Sequence, residues 1–157
     1  MAGRIEIVSA SSQRMIGQRS TASVGELAPS VMALLSKVWD SIRAAKVKTL
    51  GINVFLYSPY RKESKAQTPG EVEIAAGVLV TNEIAAPAGL EVVSTPNGKA
   101  AHLQYLGDYG GLSAAHDELR AWCQLNDGGP TGTIWEVYGH HEEDPTKRRT
   151  DIYYLLR

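Results

Sequence analysis

The chain repeats itself. Gly51-Ile52-Asn53-Val54-Phe55-Leu56-Tyr57 lines up without gaps on Gly132-Thr133-Ile134-Trp135-Glu136-Val137-Tyr138, opening glycine on glycine and closing tyrosine on tyrosine. Both segments carry the β-branched and aromatic residues that suit a pleated, half-buried strand. Each follows a stretch with helical spacing. Over residues 27–45 the apolar positions Leu27, Val31, Leu34, Leu35, Val38, Trp39 and Ile42 recur at three and four, the stripe of a helix buried on one side, with Pro29 confined to its first turn. Leu112, Ala115, Leu119 and Trp122 make the second stripe, which ends at Asn126-Asp127-Gly128-Gly129-Pro130, a glycine stop followed by proline. Further strands are predicted at 71–80 and 151–156 after the helices. Others fall at 13–21 and 100–106 before them, with short pieces at 5–8 and 90–94. The order strand, helix, strand, strand thus occurs twice, a duplicated βαββ unit. The pseudo-repeats are roughly 1–82 and 89–157, joined by a linker at 83–89 rich in alanine, proline and glycine.

A chain of 157 residues is expected to form one domain over 1–157 with a sizeable core of its own. The formal net charge is −1 with both signs scattered, so the field that drives direct nucleic-acid binding is missing. Cys123 is the single cysteine, which rules out an internal disulfide and suits a reducing compartment; cytoplasm is the expected location. Arg4, Glu6 and Arg14 interrupt the first residues, so neither a signal segment nor a membrane span is predicted.

Glu136 is the anomaly. It stands between Trp135 and Val137 in an otherwise apolar strand, where glutamate is disfavoured unless something uses it. Alternation puts Ile134, Glu136 and Tyr138 on one face and Trp135 and Val137 on the other. From pattern alone the carboxylate is either the floor of a pocket or an exposed group on a solvated sheet face. In an apolar cup its pKa would be raised, and an arriving cation would reverse that shift.

Other reactive residue types read as structural. His140-His141-Glu142-Glu143-Asp144 has metal-ligand chemistry but belongs to a charged, proline-containing turn, so no metal site is predicted. His102 and His116 have no acid partner visible in the sequence. Trp39, Trp122 and Cys123 fall on or beside helical apolar stripes and read as core. No phosphate loop, nucleotide fingerprint or Ser-His-Asp arrangement occurs, and no cofactor is expected.

A family resemblance is carried by Thr95-Pro96-Asn97-Gly98-Lys99-Ala100-Ala101, Tyr105-Leu106-Gly107-Asp108-Tyr109, Trp135-Glu136-Val137-Tyr138 and Thr150-Asp151-Ile152-Tyr153-Tyr154-Leu155. In their order and spacing these resemble the GyrI-like small-molecule-binding family, the effector-binding domain of AraC- and MerR-type regulators, here in stand-alone form. The basic, polar loop at 60–70 has no counterpart that guides its reading. The resemblance implies an α+β fold: two βαββ halves sharing an antiparallel sheet, two helices packed on it, and a ligand cleft between the halves. It implies a small-molecule ligand, amphipathic and aromatic or cationic, bound by Glu136 with Phe55, Tyr57, Tyr105, Tyr109, Trp135 and Tyr138 around it. Sensing or sequestration is the leading expectation, with any regulatory role requiring a separate protein partner. The alternatives are a hydrolase of electrophilic cyclopropane-type natural products, with Glu136 in acid/base work and Tyr109 or Tyr138 orienting substrate or water, and a protein-binding inhibitor module.

Overall fold

The computed structural model describes residues 2–59, 71–81, 83–125 and 129–157. The expected polar loop at 60–70 and residues 126–128 of the expected helix stop lie outside them. The contacts divide the chain into two compact units, Gln13–Thr95 and the pair of segments Met1–Ser12 and Pro96–Arg157.

The Gln13–Thr95 unit contains β2 (Arg14–Ser23), α1 (Leu27–Ala45), β3 (Asn53–Ser58), β4 (Glu71–Leu79) and β5 (Glu91–Ser94). Its strands lie in the order β3-β4-β2-β5, all antiparallel. Helix α1 has the bounds the apolar spacing predicts, and Val31, Leu34, Leu35, Val38 and Ile42 of the stripe are buried. Val38 and Ile42 meet Val78 of β4, with Trp39 packed at the edge of that cluster. The Trp39 indole N–H is not left bare, since it donates to the Asn53 side-chain oxygen at 2.9 Å.

The second unit contains β1 (Ala2–Ala10), β6 (Gly98–Leu106), α2 (Leu112–Leu125), β7 (Pro130–Tyr138) and β8 (Arg149–Leu156). Its order is β1-β6-β8-β7, again antiparallel. Ala115, Leu119 and Cys123 of α2 bury against Ala101, Leu103, Ile152, Tyr154 and Leu156, with Ile5, Trp122 and Ile134 at the margin. Cys123 is fully buried, and burial pushes its thiol up, as an inert core cysteine requires.

Both units are therefore a βαββ motif plus one strand, the α+β arrangement that the duplicated pattern predicts. The added strand pairs each time with the motif's first strand: β5 with β2 and β1 with β6. This redistributes the ends of the expected repeats. The linker expected at 83–89 falls inside the Gln13–Thr95 unit, because β5 beyond it turns back onto β2 through Arg14↔Ser94 to Gly17↔Glu91. β1, the expected start of the first half, crosses to the second, where Ile5 joins the core below α2.

Candidate ligand site

The face of β7 that carries Ile134, Glu136 and Tyr138 is the one turned to α2, since Ile134 packs into the cluster with Ala115, Leu119 and Cys123. Trp135 points to the other face and stacks on Tyr153, ring centroids 4.9 Å apart and nearly parallel at 8°. The strand alternation read from the sequence holds. Glu136 is buried, 4 % exposed, so it is not a group on an open sheet surface.

Its surroundings are not an apolar cup. Nε2 of His116 lies 2.7 Å from Oε2, and the Tyr138 hydroxyl donates to Oε1 at 3.2 Å. His116 reaches the carboxylate because it sits on the inner side of α2, one residue after Ala115. Its other ring nitrogen, Nδ1, meets the hydroxyl of buried Tyr154 at 2.8 Å. The Tyr154 hydroxyl lies 3.5 Å from the backbone carbonyl of His116 as well. Burial pushes the Tyr154 pKa up to about 12, so the hydroxyl keeps its proton.

Two complete hydrogen-bond patterns follow from that geometry. With neutral imidazole, Tyr154 O–H donates to Nδ1 and Nε2–H donates to Glu136. With imidazolium, both ring N–H groups donate, and Tyr154 turns its own proton to the His116 carbonyl. Either pattern gives each polar atom of the His116, Tyr154 and Glu136 contacts a partner.

Toward the surface the site continues through aromatic rings. Tyr109, in the 3-10 turn Tyr109–Gly111 that leads into α2, meets Tyr138 edge-on at 5.6 Å and 67°. Tyr109 is 48 % exposed, so the line Tyr109, Tyr138, Glu136 runs from solvent to the buried carboxylate. The Arg148 guanidinium lies over the Tyr109 ring, 5.4 Å from its centroid. Thr150, the cross-strand partner of Tyr138, is fully buried, and among the described residues its hydroxyl has no hydrogen-bond partner.

Of the residues singled out from the sequence, Glu136, Tyr138 and Tyr109 come together. Trp135 lies on the opposite face. Tyr105 is a core ring beneath the β6 to α2 turn, its hydroxyl donating to the Asp108 carbonyl at 2.7 Å. Gly111 leaves room for it, because a Cβ there would come within 2.0 Å of the Tyr105 oxygen. Phe55 is buried and Tyr57 half-buried on β3 of the other unit. The sequence leaves His116 without an acid; the structure supplies Glu136 from another element. The signal was present, since Leu112, His116, Leu119 and Cys123 follow the four-three-four spacing of a buried stripe. Tyr154, Thr150 and Arg148 carried no comparable signal.

His102 also has an acid. On the face of this unit's sheet away from α2, its Nε2 lies 2.7 Å from Asp151 Oδ1, and Arg149 donates to both Asp151 oxygens at 2.9 and 3.2 Å. Burial pushes the Asp151 carboxyl up, but the hydrogen bonds from His102 and Arg149 together outweigh it and hold the group below the ordinary carboxylate range. A depressed carboxyl stabilises the fold above its unfolded pKa, and that contribution disappears as pH falls through the folded one. Asp151→Asn is therefore expected to be less stable than wild type in urea at pH 7, with the gap closing as pH is lowered from about 5 toward 2. A gap constant across that range would contradict the assignment.

The stretch from His140 to Asp144 is exposed; Asp144 accepts from the Thr146 backbone N–H and hydroxyl. Among the described residues no group of three or more metal-ligating side chains could hold an ion, and no helix is long and apolar enough to cross a membrane.

No family model and no curated protein matches the chain. Solved structures do. The chain is similar to SAV2435 in its structure bound to tetraphenylphosphonium, with a TM-score of 0.70 at 14% identity, covering 99% of this chain and 94% of that one. It is similar to the EcmrR C-terminal domain, TM-score 0.65 at 16% identity over 98% of this chain and 97% of that one. A hydrolase from Listeria innocua is more distant, TM-score 0.53 at 10% identity over 96% and 90%. These likenesses give this chain the α+β fold that the GyrI-like resemblance implies.

Proposed function

We propose that this chain binds an amphipathic, aromatic small molecule, with Glu136 receiving a positively charged or hydrogen-bond-donating group. The observation that carries the reading is a buried carboxylate, held by His116 and Tyr138, at the inner end of an aromatic line that opens at Tyr109. Aromatic faces suit flat and cationic ligands, each contact contributing about 1 kcal/mol. A carboxyl group held in place by two hydrogen bonds offers a fixed acceptor for a charged or hydrogen-bond-donating ligand group. The neighbour bound to tetraphenylphosphonium supports a lipophilic cation as the first probe. Sensing, with the signal passed to a separate regulator, or sequestration would follow from binding alone. The similar structure of EcmrR in a complex with DNA, 56% of whose chain is covered, supports the former.

The test is a thermal-shift titration of wild type and Glu136→Gln with tetraphenylphosphonium, neutral aromatics and electrophilic cyclopropanes, followed by mass spectrometry of the ligand. A ligand that binds only the native state stabilises it, by about 2.7 kcal/mol at a hundred times its Kd. Wild type should show saturable stabilisation by the cation, and Glu136→Gln should need about tenfold more of it or worse. Equal shifts in both proteins would overturn the reading.

One observation favours a second reading. A histidine and a carboxylate in direct hydrogen-bond contact, His116 on Glu136, are the residue types and the geometry that acid/base work on a strained ring requires. Tyr109 or Tyr138 would orient substrate or water. In that case ring-opened product appears with wild type and not with Glu136→Gln.

A further inference from the structure

We propose that the site selects zwitterionic aromatic ligands: Glu136 takes the cationic group, and Arg148 with Thr150 takes an anionic group at the Tyr109 end. The proposal rests on the reading of Glu136 as the cation-binding group. The outer aromatic face that a simple lipophilic cation would use is already engaged by the protein, since Arg148 covers the Tyr109 ring. A ligand that is only a cation must displace one guanidinium from an aromatic face and then remain beside that like charge.

Arg148 is well placed to receive an anion instead. Its Nε donates to the Glu142 backbone carbonyl at 2.9 Å, and its backbone carbonyl accepts from Gly107 N–H at 2.9 Å. The residue is thereby anchored to the turn that carries Tyr109. Among the described residues it forms no ion pair with a carboxylate. The nearby Asp144, whose carboxyl lies below its ordinary range chiefly through the Thr146 hydrogen bonds and in smaller part through the Arg148 charge, is held in that turn by Thr146.

Thr150 gives an independent observation. Its hydroxyl is buried and unpartnered on the α2 side of β8, directly across from Tyr138. A buried hydroxyl without a partner costs about 1–3 kcal/mol, so its presence asks for a group that uses it. A ligand carboxylate between Arg148 and Thr150 would accept from both.

The probes are rhodamine B and its ethyl ester, which share a xanthylium ring and differ in one free carboxylate. Binding is read by fluorescence anisotropy with wild type, Arg148→Gln, Thr150→Val and Glu136→Gln. Wild type is expected to bind the acid about tenfold tighter than the ester. Arg148→Gln should bring that ratio near one, with the ester bound as well as before or better. Arg148→Lys, which keeps the charge and loses the planar fork, should retain part of it. Thr150→Val should lower the ratio about threefold while melting no lower than wild type; a purely structural hydroxyl would leave the ratio unmoved.

A ratio near one in wild type, or one unchanged in Arg148→Gln, overturns the proposal. If Glu136→Gln still weakens both dyes in those cases, the binding function stands and only the selectivity fails. If wild type binds neither dye, or Glu136→Gln changes neither, both fall together.

Discussion

His116→Leu is expected to lower the unfolding free energy by about 2–4 kcal/mol. The loss arises from what is left behind. Glu136, its side chain 6 % exposed, would keep the Tyr138 hydroxyl on Oε1 and lose the nearest donor to Oε2. The Tyr154 hydroxyl would lose Nδ1 and keep only the longer contact to the residue 116 carbonyl. Leucine fits the apolar stripe of α2 and has the better helix propensity, so helix formation does not explain a loss. The companion Glu136→Leu should cost a similar amount. The double variant should be markedly more stable than the sum of the singles predicts, because the buried carboxylate and the imidazole that faces it leave together and neither stays behind without the other. Urea unfolding of all four proteins by circular dichroism measures the coupling. A His116→Leu protein within about 0.5 kcal/mol of wild type would mean that the carboxylate does not depend on the histidine.

Gly17→Ala should be as damaging, by about 3 kcal/mol or more, and at a position remote from any ligand chemistry. Gly17 of β2 pairs with Gly77 of β4, and the strands approach so closely there that a Cβ on Gly17 would lie 2.1 Å from the Ala76 carbonyl oxygen. The obstacle is backbone, which cannot swing aside as a side-chain tip can. The strands would have to part, in the region where Met15, Ile16, Val78 and Leu79 are almost wholly buried. The measurement is the melting temperature of Gly17→Ala beside Gly25→Ala, where a Cβ meets nothing within 4 Å. Similar melting temperatures for the two would refute the close approach.

The elements themselves were legible in the sequence. Three-four spacing places α1 to the residue, and enrichment in β-branched and aromatic residues places the strands within a few residues of their bounds. Pairing was less so. Period-two alternation says which face a side chain takes, but β1 and β5 have no residue that says which neighbour they choose. Glu136 was legible as a charge in an apolar strand, and the resemblance pointed to the same place. His116 could be found only by noticing that a polar residue shares a buried stripe. Arg148 is in a turn whose sequence reads as solvated, and Thr150 is an ordinary strand residue until its missing partner is seen. The resemblance put Trp135 and Tyr105 around the site, although the first belongs to the opposite face, as alternation alone had it, and the second to the floor of a turn.

The pairing of β1 with β6 has a consequence for synthesis. Ile5 is opposite Leu103, so β1 leaves the ribosome roughly a hundred residues before its partner. At about 5–20 residues per second it waits on the order of 5–20 s, while the uninterrupted Gln13–Thr95 segment can collapse first. During that interval Ile5, Ile7 and Val8 lie in an unpaired strand, the kind of segment that nascent chains lose to aggregation. Arg4 and Glu6 interrupt it at alternate positions. They keep the strand soluble until the half that carries Glu136 arrives to receive it.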